Sequence, residues 1–242
     1  MLNNKILYSV IGLLSFTDVA HSAIYQCIPC KVGTYSDGTK LGCDQCPNGY
    51  VCPAGAGAPI PVDKCKKSLV KNLTGGSGQD VLTTGIYIAE IAGGGGGGGG
   101  SYGGGAPCNW HSGADGGKGD KKMSSVFYIS GDSNKFDYSV GAAGAGGDSR
   151  RDGARGGTSS FKLIKSISIT GVKTYSNSVS AEGGYGGGAA NSSHGGSPGA
   201  NAGNGQGGCG GAGRDRTKCK SNPGDAGCSG WIKVYQLYDC KL

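Results

Sequence analysis

Histidine, proline and long apolar runs are scarce in this chain, and each scarcity excludes a class of protein. The 242 residues include 3 histidines and 8 prolines. A collagen helix would need much more proline and one unbroken glycine register. After residue 22 no apolar run could span a bilayer. With only His111 and His194 left after residue 22, and no spacing typical of a catalytic set, we expect no enzyme, no metal site and no cofactor.

Glycine is the residue in excess, with 53 copies, and it is concentrated in tracts. Apolar segments lead directly into these tracts at 93–105, 141–147 and 183–188. Two glycine sets keep a period of three: Gly141, Gly144, Gly147, Gly153 and Gly156, and Gly196, Gly199, Gly205, Gly208 and Gly211. A disordered linker is the alternative, because glycine loses the most freedom on folding. A polyproline-type helix has three residues per turn, so this period leaves one bare edge for a neighbouring backbone. We therefore predict a bundle of polyglycine II helices.

The segments between the tracts read as strands. Phe136, Tyr138 and Val140 alternate with polar residues, as in a half-buried strand of a sandwich. Residues 131–134 predict a hairpin turn between two strands. The strand candidates are 85–92, 124–130, 136–140, 159–164, 166–172, 174–181 and 230–237. We predict a mainly β fold with almost no α-helix after the signal peptide. A small disulfide-rich module precedes a β-sandwich that carries the polyglycine II bundle.

The N-terminal part of the chain predicts export. Residues 1–22 are typical of a secretory signal, with Lys5 before an apolar run and cleavage after Ser22. Residues 23–66 form a cysteine-rich module. Residues 67–80 are a linker or a first strand, and 81–242 form the glycine-rich domain. We expect a secreted protein or one exposed at the cell surface.

The cysteines of the module match the spacing of a zinc site, but in an exported chain disulfides are favoured. Its six cysteines predict three disulfides: Cys27, Cys30, Cys43, Cys46, Cys52 and Cys65. The glycine-rich domain has five more, so one is left over. We expect two disulfides among Cys108, Cys209, Cys219 and Cys228, and a spare thiol at Cys240 that could link chains.

Two resemblances follow from these motifs. Cys27-Ile-Pro-Cys30 and Cys43-Asp-Gln-Cys46-Pro-Asn-Gly-Tyr-Val-Cys52 resemble the cysteine-rich repeats of ephrin-receptor-like and tumour-necrosis-factor-receptor-like ectodomains, which implies an extracellular spacer or recognition module. The strand-and-tract pattern resembles the glycine-rich domains of phage tail-tip adhesins and bacterial glycine-rich surface proteins. More loosely, it resembles the glycine-rich region of the anaplastic-lymphoma-kinase receptors. In the adhesins, loops at the bundle tip contact the receptor.

If each tract runs out from the sandwich and returns, the loops between them gather at one pole. The four tips would be 106–112, 148–152, 189–194 (flanked by Tyr185) and 214–223. They collect aromatic, Asn, His and Arg side chains, which suit the recognition of sugars or polar surfaces. The candidate ligand-binding residues are Tyr102, Asn109, Trp110, His111, Arg150, Arg151, Tyr185, Asn191, His194, Arg214 and Arg216. Polar exposed loops without a ligand are the plainer interpretation.

The net charge of +7 suits an acidic glycan or an anionic cell surface. Export argues against a nucleic acid partner, and no membrane span is expected. Two functions remain open. The first is an adhesin-like protein that binds a surface glycan or a protein receptor through the tips. The alternative is an extracellular matrix or filament subunit, which self-associates through exposed glycine edges and a spare cysteine.

Overall fold

The computed structural model describes residues 29–39, 42–104, 109–129, 134–167, 173–213 and 220–241. The predicted signal segment and Cys27, Cys108 and Cys219 lie outside these residues. The described part of the chain is mainly β, as predicted, and its one helical element is the 3-10 turn Val62–Lys64. Its strands are β1 (Thr34–Tyr35), β2 (Asp44–Gln45), β3 (Tyr50–Val51), β4 (Ile60–Pro61), β5 (Lys66–Leu73), β6 (Ser77–Val81), β7 (Gly85–Ala92), β8 (Tyr102–Gly104), β9 (Asn109–His111), β10 (Lys121–Met123), β11 (Phe127–Ile129), β12 (Lys135–Ser139), β13 (Ser159–Ile167), β14 (Lys173–Ala181) and β15 (Trp231–Tyr238).

Two antiparallel sheets form the sandwich. The first has the order β10-β7-β15-β5, with β11 also paired to β7, and the second has the order β14-β13-β12-β6. Their facing sides bury aromatic rings: the Phe161 centroid lies 5.4 Å from that of Phe127 and 4.9 Å from that of Phe136. Alternation along β7 sends Tyr87, Ala89 and Ile91 into this core.

Several strand predictions need correction. The segment 67–80, left open as a linker or a first strand, lies almost entirely in β5 and β6, which belong to different sheets. The hairpin predicted at 131–134 is wrong, because β11 pairs with β7 whereas β12 pairs with β13 and β6. The strands on both sides of this turn bury apolar side chains in the same core, so the chain crosses from one sheet to the other. Local turn residues could not indicate that crossing.

The cysteine-rich module packs on the outer face of the first sheet. Val51 and Val62 of the module bury against Ile88 and Leu237 of the sheet. Two disulfides lie within the module, Cys30–Cys43 and Cys46–Cys52. The third joins Cys65 to Cys240 and so ties the module to the end of the sandwich. The prediction that Cys65 pairs inside the module is therefore wrong, and so is the prediction that Cys240 is a spare thiol.

Beyond the sandwich, the glycine tracts form a bundle around one central helix. Tract 1 (93–101) leaves β7 and donates each of its N–H groups, from Gly93 to Ser101, to a neighbouring backbone carbonyl at 2.8–3.0 Å. The acceptors rotate through three antiparallel tracts with a period of three: tract 2 (112–120), tract 4 (151–157) and tract 8 (222–230). This threefold repeat is the one expected for a polyglycine II helix.

Three parallel tracts complete a ring of six around tract 1. They are tract 3 (141–147), tract 5 (182–190) and tract 7 (207–213), and each donates N–H groups to tract 1 carbonyls. Around the ring the order is 2, 5, 4, 3, 8 and 7, with a direct backbone hydrogen bond at every junction. The disulfide Cys209–Cys228 reinforces the junction of tracts 7 and 8. Tract 6 (195–202) lies outside the ring, against tracts 2 and 5.

Glycine is required throughout the bundle by close approach. At every described tract glycine except Gly195, an added Cβ would lie within 3.0 Å of an atom that belongs, almost always, to the backbone of a neighbouring tract. Tracts 6 and 7 are joined by a turn in which Gly203 (φ 48°) and Gly205 (φ 62°) adopt the left-handed conformation that favours glycine. The residues that point outward carry side chains instead, and the exposed alanines among them are Ala142, Ala145, Ala154, Ala200, Ala212 and Ala226.

Candidate functional site

The loops at the far end of the bundle converge on the end of tract 1. We call this end the tip pole, formed by the described residues 102–104, 109–111, 148–151, 190–194 and 220–222. The Gly100 N–H donates to the Arg151 carbonyl at 3.0 Å, and the Gly100 carbonyl accepts from Ala190 N–H at 3.0 Å. One glycine at the bundle axis therefore fixes two of the loops.

A buried serine anchors the fourth loop, residues 220–222, to the end of tract 1. Ser101 is fully buried at the end of tract 1, and its Oγ accepts from the Asn222 N–H at 2.8 Å. Ser221 Oγ accepts from the Gly103 N–H at 3.0 Å. Because these bonds join the central helix and its extension to three different loops, the tip pole is a fixed surface and not a set of independent loops.

The first loop is a short hairpin. Strands β8 and β9 pair antiparallel, with Tyr102 opposite His111 and Gly103 opposite Trp110. The Arg150 guanidinium stacks over the Tyr102 ring, with its carbon 4.6 Å from the ring centroid. Arg150 has a φ of 68°, a conformation that costs a non-glycine residue energy and is held by its surroundings. The turn around it closes with Arg151 N–H donating to the Asp148 carbonyl at 2.9 Å.

The third loop is shaped by an asparagine. Asn191 Oδ1 accepts from the backbone N–H of Ser193 at 2.9 Å and of His194 at 2.8 Å. The His194 ring presents Nδ1 to the Ser193 hydroxyl at 2.9 Å, and all three residues are exposed. This loop therefore offers an imidazole and an amide to solvent in one defined turn.

The predicted site residues fall into three groups. Tyr102, His111, Arg150, Arg151, Asn191 and His194 lie at the tip pole together. The backbones of Asn109 and Trp110 lie there too, in β9. Arg214 and Arg216 lie outside the described residues.

Among the candidates that the structure describes, Tyr185 alone lies away from the tip pole. Its N–H donates to the Ala200 carbonyl on the flank of the bundle, one to two turns from the sandwich end of tract 5. A polyproline-type helix rises about 3.1 Å per residue, so six residues separate it from Asn191 by roughly 19 Å. Its ring is covered by Arg155, whose guanidinium carbon lies 4.3 Å from the centroid.

Sequence reasoning missed the residues that position the tip pole. Ser101, Ser221 and Asn222 are small polar residues at tract ends, and Asp152 accepts the Ala189 N–H through Oδ1 at 2.6 Å. Serine and asparagine next to a glycine tract also occur in linkers, so composition gave no signal. The end of a glycine period is a usable signal for such residues. The first residue after it must form the last hydrogen bonds of the tract.

A concave feature lies at the junction of the module and the first sheet. It is a cleft of about 300 Å³ whose wall includes Tyr50, Gln45 and Tyr128. The Tyr128 hydroxyl accepts the Cys52 N–H at 3.0 Å, and burial raises the pKa of this phenol. The cleft faces the module and is separated from the tip pole by the sandwich and the bundle.

The described residues contain no group of three or more His, Cys, Asp or Glu side chains that could hold a metal ion. Within the same residues no helix is long and apolar enough to cross a membrane. Four disulfides are typical of an oxidising, extracellular environment. In comparisons with known proteins, no family model matches this chain and no curated protein matches it.

Proposed function

We propose that this protein is a secreted or surface-exposed, adhesin-like recognition protein that binds a cell-surface glycan or receptor through the tip pole. The observation that carries the proposal is the convergence of four loops on the end of tract 1. A surface fixed by backbone hydrogen bonds loses little conformational entropy on binding, which favours affinity. The tip pole includes arginine and tyrosine, which are residue types that contribute strongly to recognition.

The resemblance to glycine-rich adhesins supports the same proposal, because those proteins also place their receptor-contacting loops at a bundle tip. The four disulfides suit a protein that works outside the cell. The cysteine-rich module packs on the outer face of the first sheet, away from the tip pole, so a spacer or attachment element there would leave the tip pole exposed.

The alternative of a filament subunit had two motivations, exposed glycine edges and a spare cysteine. The described tract glycines face other tracts, and the outward positions carry side chains such as Ala142 and Ala145. A Cβ on the outer surface keeps a further glycine helix at a distance. Cys240 is bonded to Cys65 and is therefore not a thiol that could link chains. The side chains on the outer surface of the bundle favour recognition over assembly by lattice growth.

The test is binding of the purified mature protein to cells and to glycan arrays. A tip variant, Trp110→Ala with His194→Ala, should lose binding, and Val81→Ser on the exposed surface of the sandwich should keep it. Circular dichroism and the melting temperature would establish that all three proteins are folded. Equal binding by the tip variant and the wild type, or no binding by correctly folded wild type, would contradict the proposal.

A further inference from the structure

Within the described residues the same arginine-on-tyrosine stack occurs twice, in different electrostatic settings. On the bundle flank Arg155 stacks over Tyr185 at 4.3 Å, and at the tip pole Arg150 stacks over Tyr102 at 4.6 Å. A stacked guanidinium uses its face against the ring and leaves its N–H edge free to donate in the plane. The two sites therefore differ in the group that accepts hydrogen bonds from that edge.

On the flank, the protein itself supplies the anion. Arg155 Nη2 donates to Glu182 Oε2 at 2.8 Å, and Arg155 Nε donates to the Gly183 carbonyl at 3.2 Å. The stack therefore engages the face of this guanidinium, and the carboxylate and the carbonyl engage its edge. Tyr185, Arg155 and Glu182 thus show what a satisfied stack looks like in this chain.

At the tip pole, the anion is missing from the part of the chain that the structure describes. No described carboxylate is paired with Arg150, and the nearby Asp148 is paired with Arg151, with Nη1 and Oδ2 4.0 Å apart. Both of those side chains are 79% exposed, so their attraction is weak. By sequence the four tip stretches hold six basic and three acidic side chains, so their combined formal charge is positive.

The position of Arg150 is fixed from two sides. Its backbone turn is bonded to Gly100 at the end of the central helix. Its guanidinium lies beside the hairpin, where a Cβ added to Gly104 would be 3.4 Å from Nη2. Arg150 has a left-handed φ of 68°, and its side chain lies over the Tyr102 ring. A strained residue held in this way is typical of a ligand-contacting position.

We infer that Arg150 and Tyr102 form a subsite for the carboxylate of an acidic sugar at the end of a surface glycan. In this subsite the ligand carboxylate takes the place that Glu182 occupies against Arg155. The sugar ring then lies beside the aromatic and amide groups of the tip pole. This inference rests on the proposed function and narrows it to one ligand class.

The experiment compares Arg150→Gln, Arg150→Lys and the flank control Arg155→Gln on a matched glycan array. Each glycan is presented in three forms: neutral, capped with a carboxylated sugar, and carrying a sulfate ester. Wild type should prefer the carboxylated form. Arg150→Gln should weaken that binding roughly ten- to a hundredfold, the range for a lost charged hydrogen bond. Arg150→Lys should restore part of it, because lysine keeps the charge but not the planar fork. Arg155→Gln should bind as wild type does.

The other outcomes separate this inference from the proposed function. Equal binding of neutral and carboxylated forms, or no effect of Arg150→Gln, overturns the carboxylate subsite and leaves a tip-pole function standing. Preference for the sulfate ester also overturns the carboxylate assignment. Binding to cells with no glycan recognised points to a protein receptor and overturns it as well. No binding at all overturns both. Unchanged melting temperatures of the Arg150 variants would show that any loss is not caused by unfolding.

Discussion

The sandwich and the glycine bundle are joined end to end, and their interiors are filled by opposite means. In the sandwich, Phe127, Phe136 and Phe161 exclude water with side chains, and the stabilisation follows from apolar area removed from water. In the bundle, Gly93–Gly100 are buried without any side chain, and every N–H of that run is paired with a neighbouring tract. The sandwich interior can adapt to altered side chains, whereas the bundle interior has no space for even one methyl group.

The largest effect is expected from Gly97→Ala at the centre of the bundle. The new Cβ would overlap the Ala145 carbonyl, so tracts 1 and 3 must separate and lose hydrogen bonds on both sides. We expect the free energy of unfolding to fall by more than about 5 kcal/mol, which is exceptional for one substitution. Urea unfolding measures the change.

The matched control is Ala142→Val, which adds carbon atoms to the outer surface of tract 3. Since Ala142 is exposed, this substitution should change the free energy of unfolding by no more than about 0.5 kcal/mol. Comparable stability of Gly97→Ala and Ala142→Val would mean that the tracts are not closely packed.

The next effect is expected in the sandwich. Phe161→Ala removes a fully buried ring and should cost about 3–5 kcal/mol, the range for buried aromatic truncation. Phe161→Leu retains much of the volume and should cost less than about 2 kcal/mol. This graded response is what distinguishes a side-chain core from the bundle. Equal losses for the two variants by urea unfolding would remove the distinction.

A smaller effect is expected from the disulfide between tracts 7 and 8. Replacing both Cys209 and Cys228 with serine opens a link whose sequence separation is 19 residues. Loop-closure entropy predicts a loss of about 3 kcal/mol. The backbone bond from Cys228 N–H to the Cys209 carbonyl remains, so the bundle should still form. A variant that melts at the wild-type temperature would show that the backbone lattice alone sets stability here.

The smallest effect is expected at the tip pole, and it has the opposite sign. Arg150→Gly relieves the left-handed strain but adds freedom to the unfolded chain, so stability should rise by no more than about 1 kcal/mol. Arg151→Gly has no such strain to relieve and should not stabilise. Thermal unfolding of the pair measures the difference. A marked destabilisation by Arg150→Gly would assign the Arg150 side chain a structural role.

Much of this architecture could be predicted from the sequence, because its signals are local. The strand at 85–92 has the predicted bounds, since a nearly continuous apolar run lies there and a glycine tract ends it. The glycine period also predicts which residues face inward, as Gly141, Gly144 and Gly147 do. Gly205 belongs to the second set of glycines with a period of three, but it lies in a turn. The period alone therefore does not show where one tract ends and the next begins.

The contacts between tracts and between distant cysteines could not be predicted. A glycine carries no side chain that encodes which neighbour it meets, so tract order is set by the strands that deliver each tract. Cys65 and Cys240 are 175 residues apart, and only the folded sandwich brings them together. Within the site, the nearness of Tyr185 to Asn191 in sequence predicts that Tyr185 lies at the tip. In the fold, a polyproline-type helix that rises about 3.1 Å per residue separates the two residues.

Native-state amide hydrogen exchange of tract 1 tests the central claim most directly. If Gly93 to Ser101 are enclosed by six tracts and all their N–H groups are bonded, they should exchange only through global unfolding, as slowly as the buried strand β7. The exposed residues Asn191 to His194 should exchange much faster. Exchange of tract 1 at the rate of an unstructured glycine peptide would contradict the bundle, and with it the fixed tip pole.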